Sequence, residues 1–134
     1  MDLVKGIKER RSIRKFQDKP IDRKLIEEIV ETARFAPSWK NTQIVRYLVV
    51  DDKEKIAAIA NSKCTYGSDY NIKAIAGAPA VVILTFVEGR SGFDKDGSFS
   101  TPKGDGWQMF DAGIAAQTFC LAAHEKGLGT VIQG

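Results

Sequence analysis

Apolar residues recur along this chain at two periods, and the changes of period mark its elements. Leu3, Val4 and Ile7 share a helical face behind Asp2, a good N-cap, and predict a first helix that ends in a basic cluster. Asp22 predicts the next helix start. Ile21 and Ile26 have hydrophobic-staple spacing around it, and Leu25, Ile26, Ile29, Val30 and Ala33 then recur at helical period. Ala36-Pro37-Ser38 stops that helix, and a polar loop to Gln43 leads into a strand over Arg46 to Val50. Asp51-Asp52 closes the strand and caps a short helix over Lys53 to Ala60, and a helical turn is expected around Asn71 to Ala76.

The stretch from Ala80 to Val87 is unbroken, apolar and rich in β-branched residues, which predicts a strand buried on both faces at the centre of the sheet. Glu88 to Gly106 holds five of the 12 glycines and no periodicity, so a flexible lid or substrate-side flap is expected there. Trp107 to Lys126 is the most helical segment. Its apolar and small residues nearly encircle it, and such a helix must be covered on most sides. A dimer interface through Gly113, Ala115 and Ala116 and a central helix of a monomer both satisfy that requirement. Gly127 ends the helix, and Thr130-Val131-Ile132 begins another strand.

Composition narrows the class. With 134 residues, 43% hydrophobic and 28% charged, the chain suits one domain with a real core. Its longest apolar stretch, Gly77 to Val87 with a Pro and a Thr inside it, falls short of the about 20 residues of a membrane span. The opening Met-Asp-Leu-Val-Lys has no apolar signal core, so a cytoplasmic location is expected, with no membrane partner. Cys64 and Cys120 lie far apart and His124 is the only histidine, so no metal site of Cys and His is expected and both thiols read as reduced. The net charge of +3 is modest but uneven: residues 1–24 carry nine bases and four acids. Positive charge at one end suits an anionic ligand. Phe16 is the only aromatic residue there, so a nucleic-acid surface is the weaker reading and no such partner is expected.

The candidate chemistry sits in a few polar clusters. Arg10-Arg11-Ser12-Ile13-Arg14 offers forked guanidinium donors and a hydroxyl that match phosphate, although such a run also serves as a solvated face. In Ala36-Pro37-Ser38-Trp39-Lys40-Asn41-Thr42-Gln43, the amides of Asn41 and Gln43 can both donate and accept, as a heteroaromatic edge with imide groups requires; an ordinary polar loop is the other reading. Asn71 is a third amide or a helix N-cap. Gly127-x-Gly129 leads from helix to strand, the reverse of a dinucleotide fingerprint, and no P-loop or hydrolase triad is present.

In order and spacing these pieces resemble the nitroreductase family of flavin enzymes over nearly the whole chain. The resemblance is carried by Arg10-Arg11-Ser12-Ile13-Arg14-Lys15-Phe16, Ala36-Pro37-Ser38-x-x-Asn41-x-Gln43, Tyr47-Leu48-Val49-Val50, Ala78-Pro79-Ala80-Val81-Val82, Asp111-Ala112-Gly113-x-Ala115-x-Gln117 and Gly127-Leu128-Gly129-Thr130. It implies an α+β fold, a central mixed sheet flanked by helices, in an interlocked homodimer with FMN at the subunit interface. Carried over by position, Arg10, Arg11 and Ser12 bind the FMN phosphate or ribityl chain, Arg14 and Asn71 face the pyrimidine edge, and Gln133 and Gly134 lie against the far part of the flavin. Pro37, Ser38, Trp39 and Asn41 are the other subunit's contribution. The implied activity is ping-pong hydride transfer from NADH or NADPH, through flavin N5, to a nitroaromatic, quinone or similar small acceptor, with no catalytic side chain. A flavin-binding protein without turnover is the alternative on the same fold. In the family a further strand, commonly bearing a base for the phosphate, and a C-terminal extension stand beyond the position of Gly134. Residues 1–134 are thus expected to form one FMN-binding domain lacking those two parts, with a sparse phosphate site.

Overall fold

The computed structural model describes residues 2–134. Five helices and two strands follow in the order α1 (Leu3–Glu9), α2 (Arg23–Ala33), β1 (Val45–Val50), α3 (Lys53–Ala60), α4 (Asp69–Ala76), β2 (Val81–Phe86) and α5 (Gly106–Glu125). Three of the helices begin where an aspartate permits it. Asp2, Asp22 and Asp52 accept hydrogen bonds from the backbone N–H groups of Lys5, Lys24 and Lys55. Each carboxylate satisfies a donor the first turn would leave orphaned and complements the positive end of the helix dipole. Ser68 caps α4 through Asn71 N–H, so Asn71 is not the N-cap: it lies inside the helix, and its side-chain amide makes no hydrogen bond among the described residues.

The core is built from helix faces. Ile26, Ile29 and Ala33 of α2, spaced three and four apart, are buried against α5 with its Ala115, Cys120 and Ala123. Ile56 and Ala60 of α3 pack with Ala74 of α4, and Ile44, fully buried, anchors the start of β1. β1 lies on α5 through the Tyr47 and Phe119 rings, 5.7 Å apart and stacked. α5 ends as its glycine predicts. Gly127 sits at φ +77°, its N–H bonded to His124 O and that of Leu128 to Ala123 O, so two orphan carbonyls are satisfied. Lys126 then pairs with Glu28 at 2.9 Å, tying the end of α5 to α2.

β1 and β2 pair antiparallel, Val45 opposite Phe86 and Val50 opposite Val81. The parallel component is a single bridge between Ser12 and Thr130, where Ile13 N–H donates to Thr130 O at 2.9 Å; the expected third strand over 130–132 is reduced to this contact. β2 is not the doubly buried centre its composition predicts: it pairs with β1 alone, and Ile83 and Thr85 are exposed. The loop over 88–106, expected as a lid or substrate-side flap, is internally hydrogen-bonded. Phe93 bridges Phe99, Ser100 N–H donates to Gly92 O, Gly89 N–H to Gln108 Oε1, and Trp107 Nε1 to Thr101 Oγ1. One of its glycines serves close approach: a Cβ on Gly92 would stand 2.2 Å from Gly104 O.

Candidate functional site

Two clusters of polar groups carry the candidate residues. The first joins the residues after α1 to those after α5. Gly129 lets them meet, since a Cβ there would stand 2.9 Å from Ile13 Cβ. In this cluster the Arg10 Nε and the Gln133 Oε1 are buried without a hydrogen-bond partner. A buried donor and a buried acceptor left open in this way are costly unless a ligand completes them. Arg14 donates to Ser12 O at 3.3 Å, and its guanidinium lies 5.5 Å from the Tyr70 ring centroid, beside Asn71 in the first turn of α4. The structure thus joins the Ser12 segment to the Thr130 segment and sets Arg14 against Tyr70, the neighbour of Asn71 on α4, with Arg10 before this junction in the chain and Gln133 and Gly134 after it. Arg11 turns away from it: its guanidinium donates to Lys8 O at 2.7 Å and Arg10 O at 2.9 Å, capping the negative end of α1.

The second cluster is the loop Pro37–Gln43. Its backbone is unusual, with Lys40 at φ 45°, Asn41 at 53° and Gln43 at 51°, left-handed positions that side chains with a Cβ adopt at a cost. Asp111 helps hold it there. This carboxylate, 1% exposed in the middle of α5, accepts the Trp39 N–H at 3.0 and 3.1 Å and the Ser91 hydroxyl at 2.5 Å. Inside the loop, Ser38 Oγ accepts Gln43 N–H at 2.9 Å, and Gln43 Nε2 donates to Asn41 Oδ1 at 3.0 Å, which leaves the Asn41 NH₂ directed to no protein partner among the described residues. A cavity of about 480 Å³ lies against the loop, lined by Pro37, Ser38, Asn41, Tyr47, Arg90 and Asp111 among others. The Tyr47 hydroxyl is buried without a partner, and its desolvation pushes the phenol above its ordinary value.

In the sequence Asp111 stands only within the motif that runs to Gln117, and nothing there ties it or Ser91 to the 37–43 loop. The available signal was an acid in the middle of an apolar helix, since a charge there must find donors. Among the described residues no cluster of three or more His, Cys, Asp or Glu side chains is placed to hold a metal ion, and no helix is long and apolar enough to cross a membrane.

Helices packed about a small sheet make an α+β fold, and its solved neighbours give it the nitroreductase fold. The comparisons carry this from class to family. The chain belongs to the nitroreductase family, whose model matches residues 7–66 and 65–134. A Methanothermobacter thermautotrophicus protein, provisionally named NADH dehydrogenase/NAD(P)H nitroreductase, is 32% identical over all of this chain and 61% of its own length. The FMN reductase [NAD(P)H] of Bacillus subtilis is 30% identical over 97% of this chain and 53% of its own. Among solved structures, a nitroreductase family protein from Clostridium novyi superposes with a TM-score of 0.77 at 27% identity, over 98% of this chain and 68% of that one. An FMN-dependent nitroreductase from Clostridium difficile superposes at 0.69 with 32% identity, over 95% and 63%. The chain thus spans 61% and 53% of the lengths of these two curated relatives.

Proposed function

We propose that this chain is an FMN-dependent oxidoreductase that uses NADH or NADPH to reduce nitroaromatic, quinone or similar small acceptors, and that it works as a homodimer. The observation that carries the reading is the pair of open buried groups, Arg10 Nε and Gln133 Oε1, in the region that also holds Arg14 and Asn71. Their chemistry fits FMN: a guanidinium set for a phosphate, a cation and an amide for the polar edge of a heteroaromatic ring, and an acceptor for one of its donors.

In this reading Arg10 and Ser12 hold the phosphate and ribityl chain, Arg14 and Asn71 the pyrimidine edge, and Gln133 and Gly134 the far part of the ring. Arg11 contributes long-range positive charge, its Nη1 being engaged on α1. Bound FMN supplies the hydride-carrying centre. The Arg14 guanidinium stabilises negative charge gathering at the ring edge on reduction. Pro37, Ser38, Trp39 and Asn41 come from the second copy, held in shape by Asp111. An exposed apolar face supports a dimer: Leu3, Val4 and Ile7 of α1 are 67%, 57% and 51% exposed.

An absorbance spectrum of the purified protein, followed by anaerobic titration with each nucleotide, tests the reading. A flavin spectrum, native or after added FMN, that NADH or NADPH bleaches within seconds is expected. A protein that takes up no FMN defeats the reading, and one whose bound flavin is never bleached is a flavin-binding protein without turnover.

A further inference from the structure

We propose that Trp39, Lys40, Lys103, Trp107 and Phe110 form a subsite selecting aromatic acceptors that carry a negative charge. The inference rests on the oxidoreductase reading and deepens it by naming a substrate class. Three rings stand in a row at the start of α5: Trp39 and Trp107 are 6.4 Å apart between centroids, and Trp107 and Phe110 5.5 Å apart, edge to face. Two ammonium groups lie on this row, Lys40 Nζ 4.6 Å from the Trp39 ring and Lys103 Nζ 5.2 Å from Trp107 and 5.7 Å from Phe110.

The patch thus gathers two ammonium groups against three rings, each within about 6 Å of a ring centroid. Neither lysine has a carboxylate partner among the described residues, so the patch carries two charges that the protein does not neutralise. The rings are held in advance: the Trp39 backbone by Asp111, and the Trp107 indole by its 2.8 Å bond to Thr101 Oγ1. A flat ligand therefore finds stacking surface already ordered, and an anionic substituent on it finds two ammonium groups. Trp39 stands between Ser38 and Asn41, the residues assigned to the cofactor, which sets the patch beside the reacting centre. At the acceptor the chemistry balances as R–NO₂ + NAD(P)H + H⁺ → R–NO + H₂O + NAD(P)⁺, the hydride coming from the nucleotide and the proton from solvent.

The test compares kcat/KM for 4-nitrobenzoate, its neutral isostere 4-nitrobenzamide and the cationic 4-nitrobenzylamine, using FMN-loaded protein. The order benzoate, benzamide, benzylamine is expected, with benzoate about tenfold ahead of benzamide at low ionic strength and about threefold in 0.3 M salt. K40Q and K103Q each reduce the benzoate-to-benzamide ratio about threefold, while K55Q, on α3, leaves it unchanged. Equal kcat/KM for the three acceptors, or a ratio unmoved in both K40Q and K103Q, overturns the proposal while NAD(P)H still bleaches the flavin. Quenching of tryptophan fluorescence by the same compounds gives their binding order without turnover. The same order there supports the subsite even if the oxidoreductase reading fails, and no discrimination there overturns it independently.

Discussion

Replacing Asp111 tests how the left-handed loop is held. The carboxylate is 1% exposed and receives one backbone N–H, shared by both oxygens, and one hydroxyl. Hydrogen bonds to a charged group contribute about 1.5–3 kcal/mol each and neutral ones about 0.5–1.5, so Asp111→Asn, which keeps the shape and loses the charge, costs about 2 kcal/mol. Asp111→Ala is worse. It leaves the Trp39 N–H and the Ser91 hydroxyl buried without an acceptor, at about 1–3 kcal/mol each, and opens a small cavity. Removing the charge also removes its burial cost, but partners left unmet outweigh that gain, and a net loss of about 3–5 kcal/mol follows. Urea unfolding followed by circular dichroism measures the loss. Because Ser91 and Asp111 share a bond, the D111A/S91A pair falls short of additivity by at least about 1 kcal/mol. FMN affinity falls about tenfold or more in D111N, since Ser38, Trp39 and Asn41 lose their fixed geometry. A D111A protein within about 0.5 kcal/mol of the parent refutes the argument.

Other substitutions probe the remaining parts. Arg14→Gln weakens FMN binding and lowers the flavin midpoint potential by about 30 mV, equivalent to about 1.4 kcal/mol of lost stabilisation of the reduced ring, measured by dye-coupled anaerobic titration. Tyr47→Phe removes a hydroxyl buried without a partner and stabilises the fold by up to about 1 kcal/mol in urea titration. The raised phenol pKa gives the same variant a pH signature: the folded state favours neutral Tyr47, an advantage complete below the unfolded value of about 10 and lost as pH rises through the folded value, so parental stability falls more steeply than that of Y47F above pH 10. Gly129→Ala drives a Cβ into Ile13, costing about 1–3 kcal/mol and weakening FMN binding, and Ile13→Ala in the same chain recovers part of both losses.

Local chemistry made much of the fold legible. The aspartate caps at 2, 22 and 52 and the glycine at 127 act within one helical turn, so the starts of α1, α2 and α3 and the end of α5 follow from neighbouring residues. What could not be read depends on distant partners. The Trp39–Asp111 bond spans 72 positions and the Ser91–Asp111 bond 20, and no periodicity reports either. The left-handed backbone at Lys40 and Gln43 was hidden because neither residue type favours it. Glycine content over 88–106 did not reveal the internal bonding of that loop, where Gly92 allows close approach between segments. β2 misled in the opposite sense: its apolar run matches a buried central strand, yet in this chain one strand partners it and Ile83 remains exposed. Within the candidate site, Arg10, Ser12, Arg14, Asn71 and Gln133 are grouped by the family resemblance, whereas the turn of Arg11 back onto α1 needed coordinates.

The central claim is that each flavin lies between two copies, one supplying Arg10 and Arg14 and the other the Asp111-held loop. Mixing subunits tests it most directly. R10A/R14A and D111A chains are each expected to be inactive alone, because every site in either homodimer lacks one donor set. Unfolded and refolded together in equal amounts, they pair at random, and each mixed dimer regains one intact site, so NAD(P)H oxidation returns to about one quarter of the parental rate per chain. A mixture no more active than the two variants measured apart contradicts the shared site.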